Sequence, residues 1–407
     1  MINLESPKKF AALTMQAHQV AKEIFRPISR KYDLAEHAYP KELDMLASLL
    51  DGMTAGGGAA GAGAAGVGRG IGEDSDDNRN GSNLSSLVGV IELCWGDVGL
   101  LLSMPRQGLG NSAIASVANE EQLERFKGRW AAMAITEPGC GSDSAAIRTT
   151  AVKDGEDYIL NGEKIYVTAG DRAELVVVWA TLDKNIGRAA IKSFVVEKGT
   201  PGFELVRLEH KLGIRASDTA AFVLKDVRVP AKNLLGDPEV NVERGLSGGF
   251  AGVMQTFDNT RPLVAGMALG LTRAVLEETR RVLEAAGVVI DYHAPVITQS
   301  AASAQFIGME ADYESARLLT LQAAWMADNR KPNSLQASMA KAKAGRTCVD
   351  VALKAIELCG AIGYSETSLL EKWARDAKIL DIFEGTQQIQ QLIVARRLLG
   401  KSSAELR

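Results

Sequence analysis

The chain has 407 residues, 46% hydrophobic and 24% charged, with a formal net charge of −4. That length accommodates roughly two or three domains and a core that needs no disulfide staples. The near-neutral balance argues against nucleic acid or an anionic membrane surface as the main partner. Cys94, Cys140, Cys348 and Cys359 are scattered, with no C-x-x-C pair and no histidine at metal-ligand spacing, so the expected setting is the reducing cytoplasm. No signal-peptide core and no membrane span is legible.

In chain order, 1–129 is expected to be an N-terminal helical domain. Phe10, Leu13, His18, Val20 and Ile24 recur at steps of three and four, and further helical runs cover Pro40–Leu50 and Leu84–Leu102. Between them, 54–83 is first Gly- and Ala-rich, then acidic, and reads as a surface loop that cannot bury enough apolar area to order itself. Gly61–Gly66 within it matches G-x-G-x-x-G, but no strand precedes it, so a Rossmann phosphate site is rejected.

Strand signals dominate 130–241. Tyr158–Leu160, the turn pair Asn161-Gly162, and Lys164–Thr168 predict a β-hairpin. Leu175–Trp179, Ser193–Val196 and Ala221–Leu224 predict further strands. From 242 to 407 the predicted pattern is helical again. Long Ala-, Leu-, Lys- and Arg-rich runs over Arg261–Ala286, Ala301–Asn329 and Asn333–Ile362 suit an antiparallel four-helix bundle.

Four segments carry candidate chemistry, and each alone has an ordinary explanation. Ala134–Asp143 runs from a strand into a Gly-rich turn whose N–H groups and hydroxyls suit a flat polar ring or a phosphate, but taken alone it reads as a tight turn. Tyr166–Gly170 puts Thr168 on the same strand face as Tyr166, as many strand ends would. Phe257–Pro262 precedes a long helical run, where Asp258 reads as a cap and Arg261 as an exposed cation. In Asp376–Gln390 a carboxylate, Glu384, stands before Gly385-Thr386 where a helix restarts; the macrodipole alone would favour it there.

Taken together and in order, T-E-P-G-x-G-S-D and E-G-T-x-Q-I-Q resemble the acyl-CoA dehydrogenase family. The likeness runs from about Glu120 onward and includes Leu212–Thr219, Val223–Val229 with Pro230, and Gly363-Tyr364. It implies helices, a middle β-barrel or sandwich domain, and a C-terminal four-helix bundle. It also implies FAD as cofactor, an acyl-CoA substrate, and an electron-transfer flavoprotein as electron acceptor. By resemblance, Glu384 is the base that removes the α-proton. The flavin would rest on Met133, Ile135, Thr136, Gly141, Ser142, Tyr166, Val167 and Thr168, with Thr386 and Gln388 at its diphosphate. Ser142, Asp258, Arg261 and Gly385 would meet the CoA arm or the thioester. Some family members carry the base beside the helix-start arginine; here that position is Thr260, so Glu384 has no rival. Leu101 and Met104 suit an acyl tunnel or plain packing equally.

The chain departs from the family at two places. The arginine of R-x-x-F-G is missing near Val289, Tyr292 and His293, and the glutamine of Q-x-x-G-G-x-G-Y is Glu357. In the family these groups reach the FAD of a neighbouring subunit. Two assemblies follow: an α2β2 heterotetramer whose paralogous partner supplies them, or a homotetramer with FAD contacts made differently. Cys140 stands where the family has a small residue and reads as a packed thiol. His18, His37, His210 and His293 form no cluster in the sequence. A non-catalytic subunit, an acyl-CoA oxidase and a flavin monooxygenase remain as other functional classes.

Overall fold

The structure, a computed structural model, describes residues 7–47, 80–105, 109–240, 248–402 and 405, without the side chains of 248–259 and 296. Most of the Gly/Ala and acidic segment, the G-x-G-x-x-G match and the end of the Pro40–Leu50 run therefore lie outside the described residues.

The N-terminal part holds α1 (Ala11–Val20), continued through a π-helical turn (Ala21–Phe25) into α2 (Arg26–Leu34). A short helix covers 42–47. The helical run expected from Leu84 to Leu102 is two helices, α3 (Ser82–Gly96) and α4 (Val98–Ser103). Asp97 divides them: its backbone is extended and its carboxylate accepts from Leu100 N at 2.8 Å, capping α4. The loop expected to reach residue 83 ends sooner, because α3 starts at Ser82. Asp328, at the far end of a bundle helix, accepts from the N–H groups of Gly81 (2.7 Å), Asn83 (2.9 Å) and Leu84 (3.1 Å), which satisfies the orphan donors of that helix start. Next come α5 (Leu109–Val117) and α6 (Glu120–Arg125), the latter begun by an Asn119–Gln122 capping box.

Seven strands follow: β1 (Ala131–Ala134), β2 (Thr150–Asp154), β3 (Asp157–Thr168), β4 (Leu175–Thr181), β5 (Ile191–Glu197), β6 (Phe203–Leu208) and β7 (Thr219–Pro230). They form one sheet in the order β1-β4-β2-β3-β7-β6, with β5 paired to β4. The hairpin expected at Asn161-Gly162 is not there. That pair lies inside continuous strand β3, at a register shift against β7. Gly162 (φ 155°) allows the bulge, since a Cβ would meet Thr149 Oγ1 at 2.4 Å. The actual turn joins β2 to β3 at Gly155-Glu156, with Gly155 at φ 60°.

The last part consists of α7 (Gly248–Ala285), α8 (Ala301–Asp328), α9 (Ser334–Tyr364), α10 (Leu370–Leu380) and α11 (Gln387–Leu399). α9 is kinked at Gly360 (φ 55°, ψ −129°). Phe257–Pro262 lies within α7 rather than before it. The first and last helical parts share one core, in which Phe25, Leu87, Leu100, Leu269, Phe306 and Trp373 are all fully buried or nearly so. The sheet has its own two cores, one on Phe194, Leu160 and Val227, the other on Trp179 and Val177. Among the described residues no helix is long and apolar enough to cross a membrane.

Candidate active site

α10 ends at Leu380 and α11 begins at Gln387, and the connection between them turns sharply. Glu384 adopts φ 54°, in the left-handed region that costs a side-chain-bearing residue energy, and Gly385 follows at φ 90°. Two side chains hold the turn. Gln390 Nε2 donates to Glu384 O at 3.2 Å and to Gly385 O at 3.1 Å. Lys341 Nζ, from α9, donates to Gly385 O at 2.8 Å. Thr386 caps α11 by accepting from Ile389 N, so its hydroxyl is engaged in starting the helix, while Gln388 two residues on is exposed.

The strained turn delivers the Glu384 carboxylate to α7, where Thr260 Oγ1 donates to Oε2 at 2.7 Å. Arg261 is buried beside it, not the exposed cation read from the sequence. Burial raises the pKa of Glu384, and this effect outweighs the opposing influence of Thr260, Lys341 and Arg261. Burial also lowers Lys341 to about 8, against the attraction of Glu384 and Asp381 and with help from Arg261. The arrangement is a carboxylate with raised proton affinity, aimed by a hydroxyl and flanked by two cations, which is what a general base near neutral pH requires.

A second group forms on the β-domain. Thr136 follows β1, and its carbonyl accepts from Ile165 N of β3 at 2.9 Å, so the T-E-P-G turn lies against the Tyr166–Thr168 strand end. Glu137 anchors this turn from beneath. It accepts from Lys164 Nζ (2.7 Å), Thr149 Oγ1 (2.6 Å), Arg148 N (2.6 Å) and Thr149 N (3.0 Å). Those donors hold its pKa below the ordinary carboxylate value despite burial. Above the anchor, Met133, Ile135, Thr136 and Thr168 are half-buried, Gly141 and Ser142 are exposed, and Val167 is buried, leaving only its backbone for contacts. The expected shared face of Tyr166 and Thr168 is altered: a register shift between Lys164 and Val167 accompanies Tyr166 at φ 57°, and the residue is 61% exposed.

The two groups belong to different parts of the fold and are tied at one remove. Ile214 N, on the segment between β6 and β7, donates to Asp376 Oδ1 of α10 at 2.5 Å, two turns ahead of Glu384. The side chain of Asp258 lies outside the described residues. Leu101 and Met104 are 2% and 1% exposed and belong to the helical core. Sequence reasoning missed the roles of Thr260, Lys341, Gln390 and the Glu137–Lys164 pair. A signal existed for Lys341, which shares a helix face with Ala337, Ala344 and Gly345, all buried.

The family's middle-domain model matches residues 132–227 and its C-terminal-domain model residues 247–399. A short-chain specific acyl-CoA dehydrogenase of Clostridium acetobutylicum is 34% identical over 78% of this chain and 83% of its own length. The chain belongs to the acyl-CoA dehydrogenase family. The bovine (Bos taurus) mitochondrial short-chain specific acyl-CoA dehydrogenase is 40% identical, over 65% of this chain and 62% of that protein, so the match spans less than two thirds of that relative. Butyryl-CoA dehydrogenase from Megasphaera elsdenii superposes with a TM-score of 0.82 at 29% identity, over 98% of this chain and 100% of that one. This membership accounts for the helices–sheet–helices order of the acyl-CoA dehydrogenase fold.

Proposed function

We propose that this acyl-CoA dehydrogenase family member oxidises an acyl-CoA thioester to the trans-2-enoyl-CoA, with Glu384 as the base. The observation that carries the reading is the Glu384 carboxylate held 2.7 Å from Thr260 Oγ1 with its proton affinity raised by burial. A thioester α-proton is weakly acidic, so its removal needs a base of raised pKa and donors at the carbonyl as negative charge develops. The Glu384 N–H is the donor this chain offers there. Arg261, Gly385 and Ser142 are the proposed contacts to the thioester or the CoA arm.

The β-domain group fits FAD: an exposed aromatic ring, hydroxyls at Thr136, Ser142 and Thr168, and glycines 139 and 141 with nothing within 4 Å of an added Cβ. Met133, Ile135, Thr136, Gly141, Ser142 and Tyr166–Thr168 would hold the ring, and Thr386 and Gln388 the diphosphate. Bound FAD would supply the acceptor for the β-hydride. The named relatives make short acyl chains the first substrates to test, and an electron-transfer flavoprotein is the proposed electron acceptor.

Anaerobic mixing of the flavin-loaded protein with a panel of acyl-CoAs tests this. Bleaching of the flavin by at least one short acyl-CoA is expected. Glu384→Gln should keep flavin and thioester binding while slowing bleaching by about 10²–10⁴-fold. Normal bleaching in that variant removes Glu384 from the role. Turnover with a dye acceptor but not with oxygen alone separates a dehydrogenase from an oxidase.

A further inference from the structure

The histidines that form no cluster in the sequence do form one in the fold. Glu36 and His37 lie on the connection after α2, and His210 lies after β6. Donor atoms of the three residues lie within 4.8 Å of one another. His210 Nδ1 is 2.8 Å from Glu36 Oε2, and the other Glu36 oxygen accepts from Lys211 N at 2.8 Å, which fixes the carboxylate. The His37 and His210 rings stand 4.9 Å apart at 60°. An ordinary hydrogen-bonded pair would explain Glu36 and His210 but not His37. Both of its ring nitrogens are closed to solvent, and no protein atom hydrogen-bonds to either. A bound ion would give these nitrogens the partner that the protein does not.

We propose that Glu36, His37 and His210 form a binding site for a borderline divalent cation of the zinc class, joining the N-terminal helices to the β-domain. Two imidazoles and one carboxylate are a common zinc set that leaves a fourth position for water. The nitrogen donors disfavour magnesium and calcium, which prefer all-oxygen shells. The Lys211 ammonium is drawn aside by the Ser217 carbonyl at 2.8 Å. The exposed His210 ring leaves the ion a route in from solvent. The proposal is independent of the thioester chemistry above.

Tag-free protein, stripped with a chelator, is titrated with Zn2+ and, as a spectroscopic probe, Co2+. The expected result is saturable binding of one ion per chain, visible Co2+ bands of tetrahedral type, and a thermal midpoint that rises with Zn2+. His210→Ala, which alters an exposed ring, should weaken Zn2+ binding by at least ~10-fold, the smallest loss typical even for residues that only support a ligand. His37→Ala should do the same; if it fails to fold, His210→Ala carries the test alone. Absence of saturable binding, or unchanged affinity in His210→Ala, overturns the site.

Discussion

Glu384 is held by residues that do different things to it. Its backbone sits in a left-handed conformation pinned through carbonyls by Gln390 and Lys341, while its carboxylate is aimed by Thr260. Strain of this kind persists only where surrounding contacts over-determine the geometry. The charges facing the carboxylate are the cations Lys341 and Arg261, and both lower its pKa against the effect of burial. Only the ionised carboxylate accepts a proton, so flavin bleaching should rise with pH through the raised Glu384 value. Lys341→Met removes one cation and one hydrogen bond to the turn, so this rising limb should move to higher pH. Thr260→Val should move it the same way while leaving Lys341 in place. Stopped-flow bleaching across pH reads both; an unmoved limb in Lys341→Met would leave the lysine a purely structural role.

At the scale of elements, the T-E-P-G turn owes its place to a buried ion pair. Lys164 is fully buried and Glu137 is 6% exposed, and the carboxylate accepts from several donors besides the lysine. Breaking such a pair strands a charge, so Lys164→Met should lower unfolding stability by about 3–5 kcal/mol in denaturant titrations and loosen bound flavin. Because the folded pKa of Glu137 is depressed, its contribution is present above the unfolded carboxylate value and is lost as pH falls through the folded one. Its loss in acid should be absent from Glu137→Gln. The strand carrying Lys164 also shows where sequence reading failed. Asn161-Gly162 has hairpin chemistry, but pairing with β7 carries β3 straight through it, and Gly155-Glu156 makes the turn. Both pairs suit a turn locally; long-range pairing chose between them.

Over the whole molecule, the parts are locked by charge as well as by packing. Lys372 of α10 bonds Asp97 at 2.7 Å and Asp376 at 2.5 Å, and Asp376 also receives Ile214 N, so one buried cluster touches both helical parts and the segment between β6 and β7. Elsewhere the surface is less finished. Val289 is 78% exposed, Ile297 93% and Tyr364 81%, all near the positions where the family's neighbour-reaching residues are missing. Glu357, in place of the glutamine, is held by Lys354 at 2.6 Å. Exposed apolar groups at such a place suit contact with another subunit. The two assemblies differ in flavin content: the heteromer predicts clearly less than one FAD per subunit in the chain purified alone, restored by a paralogous chain, and the homotetramer predicts full occupancy. Flavin absorbance against protein mass reads the ratio; full occupancy in a homotetramer would exclude the heteromeric arrangement.

Sequence alone determined the family, the helices–sheet–helices order and the identity of the candidate base. These reside in short motifs and in hydrophobic periodicity, both of which are local properties. The sequence could not decide what surrounds Glu384, because Thr260 and Lys341 are distant in the chain and meet it only when α7, α9 and the α10–α11 turn converge. Nor could it bring His37 beside His210, or bury Arg261 and Lys164. Burial and proximity across domains arise from packing, and packing sets the desolvation that tunes every one of these groups.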